Sequence, residues 1–137
     1  GFDDECYLLV TADKKIKMGP IWDLGKYFGN LDNEDVEGWA VMNTPWISRL
    51  LNDETFSNLV YQRFQKVYAS KESVMKMIDQ YADEMKFSLL ADEMLHDNLM
   101  SSEKHSASVL ESYQREIGLL KEWLDARLYW LERSLRP

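Results

Sequence analysis

The stretch VLESYQREIGLLKEWLDARLYWLERSL, residues 109–135, decides the fold class. Val109, Tyr113, Ile117, Leu120, Leu124, Leu128, Leu131 and Leu135 follow one another at spacings of 4, 4, 3, 4, 4, 3 and 4. That is the period of one apolar helix face. It predicts a helix from near Ser106 almost to the end of the chain. Trp123 and Trp130 add a second apolar edge, read as core or subunit interface. Gly118 inside this helix costs up to about 1 kcal/mol against Ala, which marks close packing or a slight bend.

Working back from there, Ser101–His105 is polar and reads as a connector. Before it, Ser70 is placed to cap a helix whose stripe is Val74, Met77, Ile78, Tyr81 and Met85, continuing through Leu89, Leu90, Met94, Leu95 and Leu99. Asn52 or Asp53 caps the helix before that, which runs to about Ala69 with Phe56, Leu59, Val60, Phe64, Val67 and Tyr68 on one face. Pro45 suits the first turn of a short helix, PWISRLLN. Helices of these lengths are seldom stable alone. The last two are therefore expected to pack antiparallel, with the helix ending near Ala69 closing a bundle.

Upstream the period changes. Residues 7–11, YLLVT, and 16–22, IKMGPIW, flank the polar turn Ala12-Asp13-Lys14-Lys15 and predict a β-hairpin. Two strands alone are marginal in water, so the hairpin is expected to pack on a larger sheet or on the helices. Residues 29–45, GNLDNEDVEGWAVMNTP, are rich in Gly, Asn, Asp and Pro and read as a loop longer than most connections. The expected fold is mainly α. A hairpin over 6–23 is followed by a loop over 24–45 and a bundle of three to four helices over 46–136, all in one domain spanning 1–137.

The chain has 137 residues, 45% of them apolar and 29% charged, with a net charge of −8. That composition supports a folded core and argues against disorder. The negative charge disfavours nucleic-acid binding and docking on anionic membranes. There is no run of about 18 apolar residues, so no membrane insertion is expected. Cys6 is the single cysteine, read as a partly buried strand residue without a disulfide. The chain opens Gly-Phe-Asp-Asp without an initiator Met. Gly1 reads as a tag remnant and the remainder as a fragment of a longer protein.

Few residues carry chemistry. Asp23 stands in GPIWDLGKYFGN, residues 19–30, at a strand end just before Leu24-Gly25. A carboxylate there, beside a glycine that allows tight backbone geometry, is a common ligand for a hard divalent cation. The plain alternative is a turn Asp capping a backbone N–H. Asp32, Glu34, Asp35 and Glu37 form an acidic loop that lacks the EF-hand spacing and reads as solvated. His96 and His105 are nine apart, the wrong spacing for a zinc pair on one helix. Trp39 and Trp46 flank the loop and are read as stapling it to the helices rather than stacking a ligand. Lys17, Lys26 and Lys121 are read as solvated. No Gly-rich phosphate loop, nucleophile elbow or His-Glu-x-x-His is present.

The order of these features resembles one family. A hairpin leads into Gly19-Pro20-Ile21-Trp22-Asp23, then Tyr27-Phe28-Gly29-Asn30, a helical region, and a last helix with Glu116-Ile117, Leu120-Lys121, Trp123-Leu124 and Arg127. This is similar to the C-terminal half of the CotH kinase family, the spore-coat-H-like atypical protein kinases, over about Tyr7 to Leu131. The resemblance implies a fragment of a larger α+β kinase-like fold. It also implies ATP-dependent phosphoryl transfer to protein Ser residues by a parent protein, using Mg²⁺ or Mn²⁺ with ATP. Asp23 takes the metal-ligand role by position.

The family's ATP-contacting Lys and catalytic-loop Asp lie upstream of this segment. The fragment alone is therefore expected to be inactive, to hold no cofactor, and to have the upstream half as partner. The family often has a second Asp two residues after the first, where this chain has Gly25. That favours the second reading, a non-catalytic helical interaction module on a degenerate kinase fold. A dimer through exposed helix faces is a third reading. Family members occur in spore coats and as exported surface proteins, and nothing in these residues chooses between them.

Overall fold

A computed structural model describes residues 6–20, 28, 35–39, 42, 44–96 and 106–137. Among them are two strands and four helices: β1 (Leu8–Val10), β2 (Ile16–Met18), α1 (Pro45–Leu51), α2 (Glu54–Ala69), α3 (Lys71–His96) and α4 (Ser106–Ser134). The fold is mainly helical with an N-terminal antiparallel hairpin, as the periodicity predicts.

The hairpin pairs Leu8 with Met18, Leu9 with Lys17 and Val10 with Ile16. Its turn closes through Thr11 N–H on the Lys15 carbonyl at 2.9 Å and Lys14 N–H on the Thr11 carbonyl at 2.8 Å. Lys14 takes a left-handed φ of 59° there, the conformation a three-residue hairpin loop requires. The ladder extends one step further, with Gly19 N–H donating to the Tyr7 carbonyl at 2.6 Å. A Cβ on Gly19 would lie 2.8 Å from Tyr7 Cβ, so only glycine fits.

The helices of this chain do not cover the hairpin. Leu8, Val10, Ile16 and Met18 share one face and are 45%, 68%, 68% and 60% exposed. Cys6, expected partly buried, is also exposed.

Helix boundaries follow local chemistry. Pro45 opens α1, where its missing N–H has no intrahelical partner to lose. Asp53 caps α2 by accepting from Phe56 N–H at 2.8 Å. Ser70 behaves differently from the expected cap. Its hydroxyl donates back to the Lys66 carbonyl at 3.1 Å, and its carbonyl accepts from Val74 N–H at 3.0 Å. It therefore joins α2 to α3 without capping α3 through its side chain.

Helix α4 is the spine. Tyr61 of α2 donates to Glu132, Lys71 of α3 pairs with Asp125, and Asp79 of α3 pairs with Lys121. As the partners advance along α2 and α3 they retreat along α4, so both run antiparallel to it. Every member of the α4 stripe from Val109 to Leu135 is buried or half-buried, and Val109 and Leu128 are the buried apolar side chains among the described residues. Gly118 does not mark close packing: a Cβ there would meet nothing within 4 Å.

The other two stripes need correction. On α2, Phe56, Val60, Phe64 and Tyr68 turn inward, while Leu59 and Val67 are exposed. On α3, Val74, Met75, Ile78, Ala82, Leu89 and Leu90 turn inward, and Met77, Tyr81 and Met85 form an exposed row. No helix among the described residues is long and apolar enough to cross a membrane.

Candidate functional site

The most structured constellation outside the helix core lies on one face of α4. Trp123, Arg127 and Trp130 are spaced by 4 and 3, so they stack along one side of the helix. All three hold parts of the segment between the hairpin and α1. The Phe28 ring meets Trp123 edge-on, with centroids 6.1 Å apart and planes at 70°. Trp39 packs on Trp130 at 6.1 Å, so Trp39 staples the loop as expected.

Between these two contacts, Arg127 Nη1 donates to the Val36 carbonyl at 2.7 Å and to the Gly38 carbonyl at 2.8 Å. Its guanidinium lies 4.9 Å from the Trp130 ring centre, within cation–π range. Burial against this loop lowers the Arg127 pKa from its ordinary value, but an arginine stays charged in any case. The hydrogen bonds are thus charge-assisted. Gly38 has a φ of 92°, which turns its carbonyl through a conformation that side chains resist.

Sequence reasoning passed over Arg127 except as a letter in the last-helix pattern. The signal was present: an Arg with Trp at i−4 and i+3 shares their face, and a helix face with that much aromatic surface seldom leaves a guanidinium in water.

The expected site residues fare unevenly. Asp23, with Trp22, Gly25 and Lys26, lies outside the described residues, as do Asp32, Glu34 and His105. Asp35 and Glu37 belong to the strap that Arg127 holds. Among the described residues no group of three or more His, Cys, Asp or Glu is arranged to hold a metal. Lys121, expected to be solvated, is engaged: its Nζ lies 2.6 and 2.7 Å from the two oxygens of Asp79.

A second concavity, of about 590 Å³, opens between α3 and α4 where Ala82 and Gly118 leave room; Phe87, Leu90, Leu110 and Ile117 line it. Tyr113, also on its wall, has a buried hydroxyl without a hydrogen-bond partner.

The order of a hairpin, a long segment and then several helices is the one on which the family resemblance rests. The family model described as CotH kinase protein matches residues 1–131. The chain belongs to the CotH kinase family. No match was found among curated proteins or among solved structures.

Proposed function

We propose that this chain is the C-terminal segment of a CotH-like atypical protein kinase. In the full-length parent, Asp23 is a ligand to the Mg²⁺ or Mn²⁺ that accompanies ATP, and phosphoryl transfer goes to a protein substrate. The observation that carries this reading is membership of the family together with the Gly-Pro-x-Trp-Asp segment at residues 19–23. A cation held by the carboxylate neutralises phosphate charge as the transferred group moves, where such enzymes gain most of their rate. The chain does not act alone. No phosphate-cradling loop is present in it, and the apolar hairpin face is one the upstream half would cover.

A non-catalytic interaction module is the second reading. Gly25 in place of a second Asp favours it, as does the exposed row Met77, Tyr81 and Met85 on α3, a surface suited to a protein partner.

The test is transfer of labelled phosphate from ATP by the full-length parent with Mg²⁺ or Mn²⁺, beside an Asp23→Ala variant and residues 1–137 alone. We expect labelling by the parent, its loss in the variant, and none from the isolated segment. A folded parent that labels nothing replaces the kinase with the interaction module. Transfer by residues 1–137 alone refutes the division of labour.

A further inference from the structure

We infer that the outer edge of β1 takes a third strand, supplied by the upstream half of the parent, which makes β1 a central strand and leaves β2 at the edge of the sheet. The inference deepens the reading given above, in which that half covers the hairpin, and rests on it.

The hairpin register fixes where its free backbone groups point. Thr11 N–H bonds the Lys15 carbonyl, and Gly19 N–H bonds the Tyr7 carbonyl. Both pairs belong to the ladder in which Leu9 faces Lys17. In an antiparallel ladder, hydrogen-bonded pairs alternate with pairs whose N–H and C=O groups face outward. Leu8 and Val10 therefore aim theirs off the outer side of β1, and Ile16 and Met18 off the outer side of β2. One step beyond the Tyr7–Gly19 pair stand Cys6 on the β1 side and Pro20 on the β2 side. A proline has no N–H to offer a further strand, and prolines in sheets are confined to edges and bulges. Of the two sides, β1 is the one another strand can follow along its length.

The side chains sort the two strands the same way. Tyr7-Leu8-Leu9-Val10 is an unbroken apolar run, and both its faces are bare. Leu8 and Val10 are exposed on one, and Tyr7 and Leu9, 51% and 59% exposed, on the other. Unbroken apolar runs belong to strands buried on both faces. β2 reads Ile16-Lys17-Met18, the alternation of a half-solvated strand. A strand apolar on both faces with an open edge invites aggregation, so it calls for the permanent cover of an obligate interface rather than a transient partner. The helices of this chain do not provide it. A second copy is opposed by the net charge of −8 and by the exposed Lys14 and Lys17, which two abutting hairpins would bring together. The occupant is therefore a strand of the same polypeptide, apolar along its length to match β1.

The experiment is amide hydrogen exchange resolved at single residues, on residues 1–137 and on the full-length parent. In residues 1–137 the Leu8 and Val10 amides should exchange as fast as those of Ile16 and Met18. In the parent, Leu8 and Val10 should be slower than Ile16 and Met18 by about tenfold or more, the effect of one hydrogen bond. Equal rates at the two edges of the parent overturn the inference, as does slowing at Ile16 and Met18 instead. Slowing at Leu8 and Val10 in residues 1–137 alone also overturns it. If that slowing grows with concentration, the occupant is a second copy; if it does not, the chain supplies its own third strand.

Proline substitution puts the same question to stability. Leu8 and Met18 face each other across the ladder without exchanging a hydrogen bond, so Leu8→Pro and Met18→Pro each take only an outward N–H from the hairpin backbone. The Tm of the parent should fall further with Leu8→Pro, and a parent that folds with Met18→Pro but not with Leu8→Pro meets the same expectation. A fall at least as large with Met18→Pro overturns it. Neither readout needs catalysis. A parent that transfers no phosphate refutes the kinase reading of Asp23 while exchange still decides on the strand. One that transfers phosphate with equal rates at both edges refutes the strand alone.

Discussion

At the scale of single residues, the ion pairs that hold α3 to α4 show which charges matter. Lys71 and Asp125 meet at 2.5 Å, and Lys71 also lies 5.7 Å from the Tyr68 ring centre. The hydrogen bond that Lys71 donates to Asp125 raises the Lys71 pKa above its ordinary value of 10.5, chiefly because the carboxylate favours the charged ammonium. A raised folded-state pKa contributes stability that is fully present below the unfolded value and is lost as pH rises through the folded one. The window therefore lies above pH 10.5. In thermal melts of the wild type and Lys71→Met, the gap in Tm should be constant from neutral pH to pH 10 and close only above the ordinary lysine value. A gap that closes near neutral pH would mean that Lys71 is not held by Asp125. Acidification bears on a different place. Asp13 in the hairpin turn has its pKa lowered, first by its hydrogen bond with Thr11 and then by Lys15, so that turn loses support as pH falls below 3.8.

At the scale of elements, Gly118 separates the requirements of the helix from those of packing. Its missing side chain is not needed for close approach, since a Cβ would meet nothing within 4 Å. Gly118→Ala should stabilise the protein by up to about 1 kcal/mol through helix propensity, raising Tm by about 3 °C. A lower Tm in the alanine variant would show that α4 needs a bend at this point. The same distinction explains what was legible in the sequence. Helix ends were legible because they are local: Pro45 at the start of α1 and Asp53 on Phe56 N–H are decided by neighbours a few residues away. The α4 stripe was legible because it is packed along its whole length. The α3 stripe was misread because periodicity identifies a face and not the neighbour that covers it. Ala82 is small, and the stems of Lys71 and Lys86 carry apolar surface that their charges conceal. Those residues turn inward while Met77, Tyr81 and Met85 stay outside. At the site, Trp39 was legible as a staple because a large aromatic seeks cover. Arg127 was not, because its partners are backbone carbonyls 91 and 89 residues away, which leave no mark in the letters.

At the scale of the whole molecule, the surface is large for the mass. The chain exposes 10742 Å², whereas a compact monomer of 16.2 kDa exposes about 7,500 Å². The unfolded chain would expose about 23,500 Å². Unfolding therefore uncovers roughly 12,800 Å² instead of about 16,000 Å². The denaturant slope scales with that area. The m-value of residues 1–137 should thus be about four-fifths of that of compact two-state domains of equal length. The net charge of −8 opposes close approach of two copies, so the urea midpoint should not move with protein concentration. A normal m-value with a midpoint that climbs as the protein is concentrated would mean that a second copy covers the hairpin and the Met77–Tyr81–Met85 row. A low, concentration-independent value leaves those faces open to a partner other than a second copy of this chain.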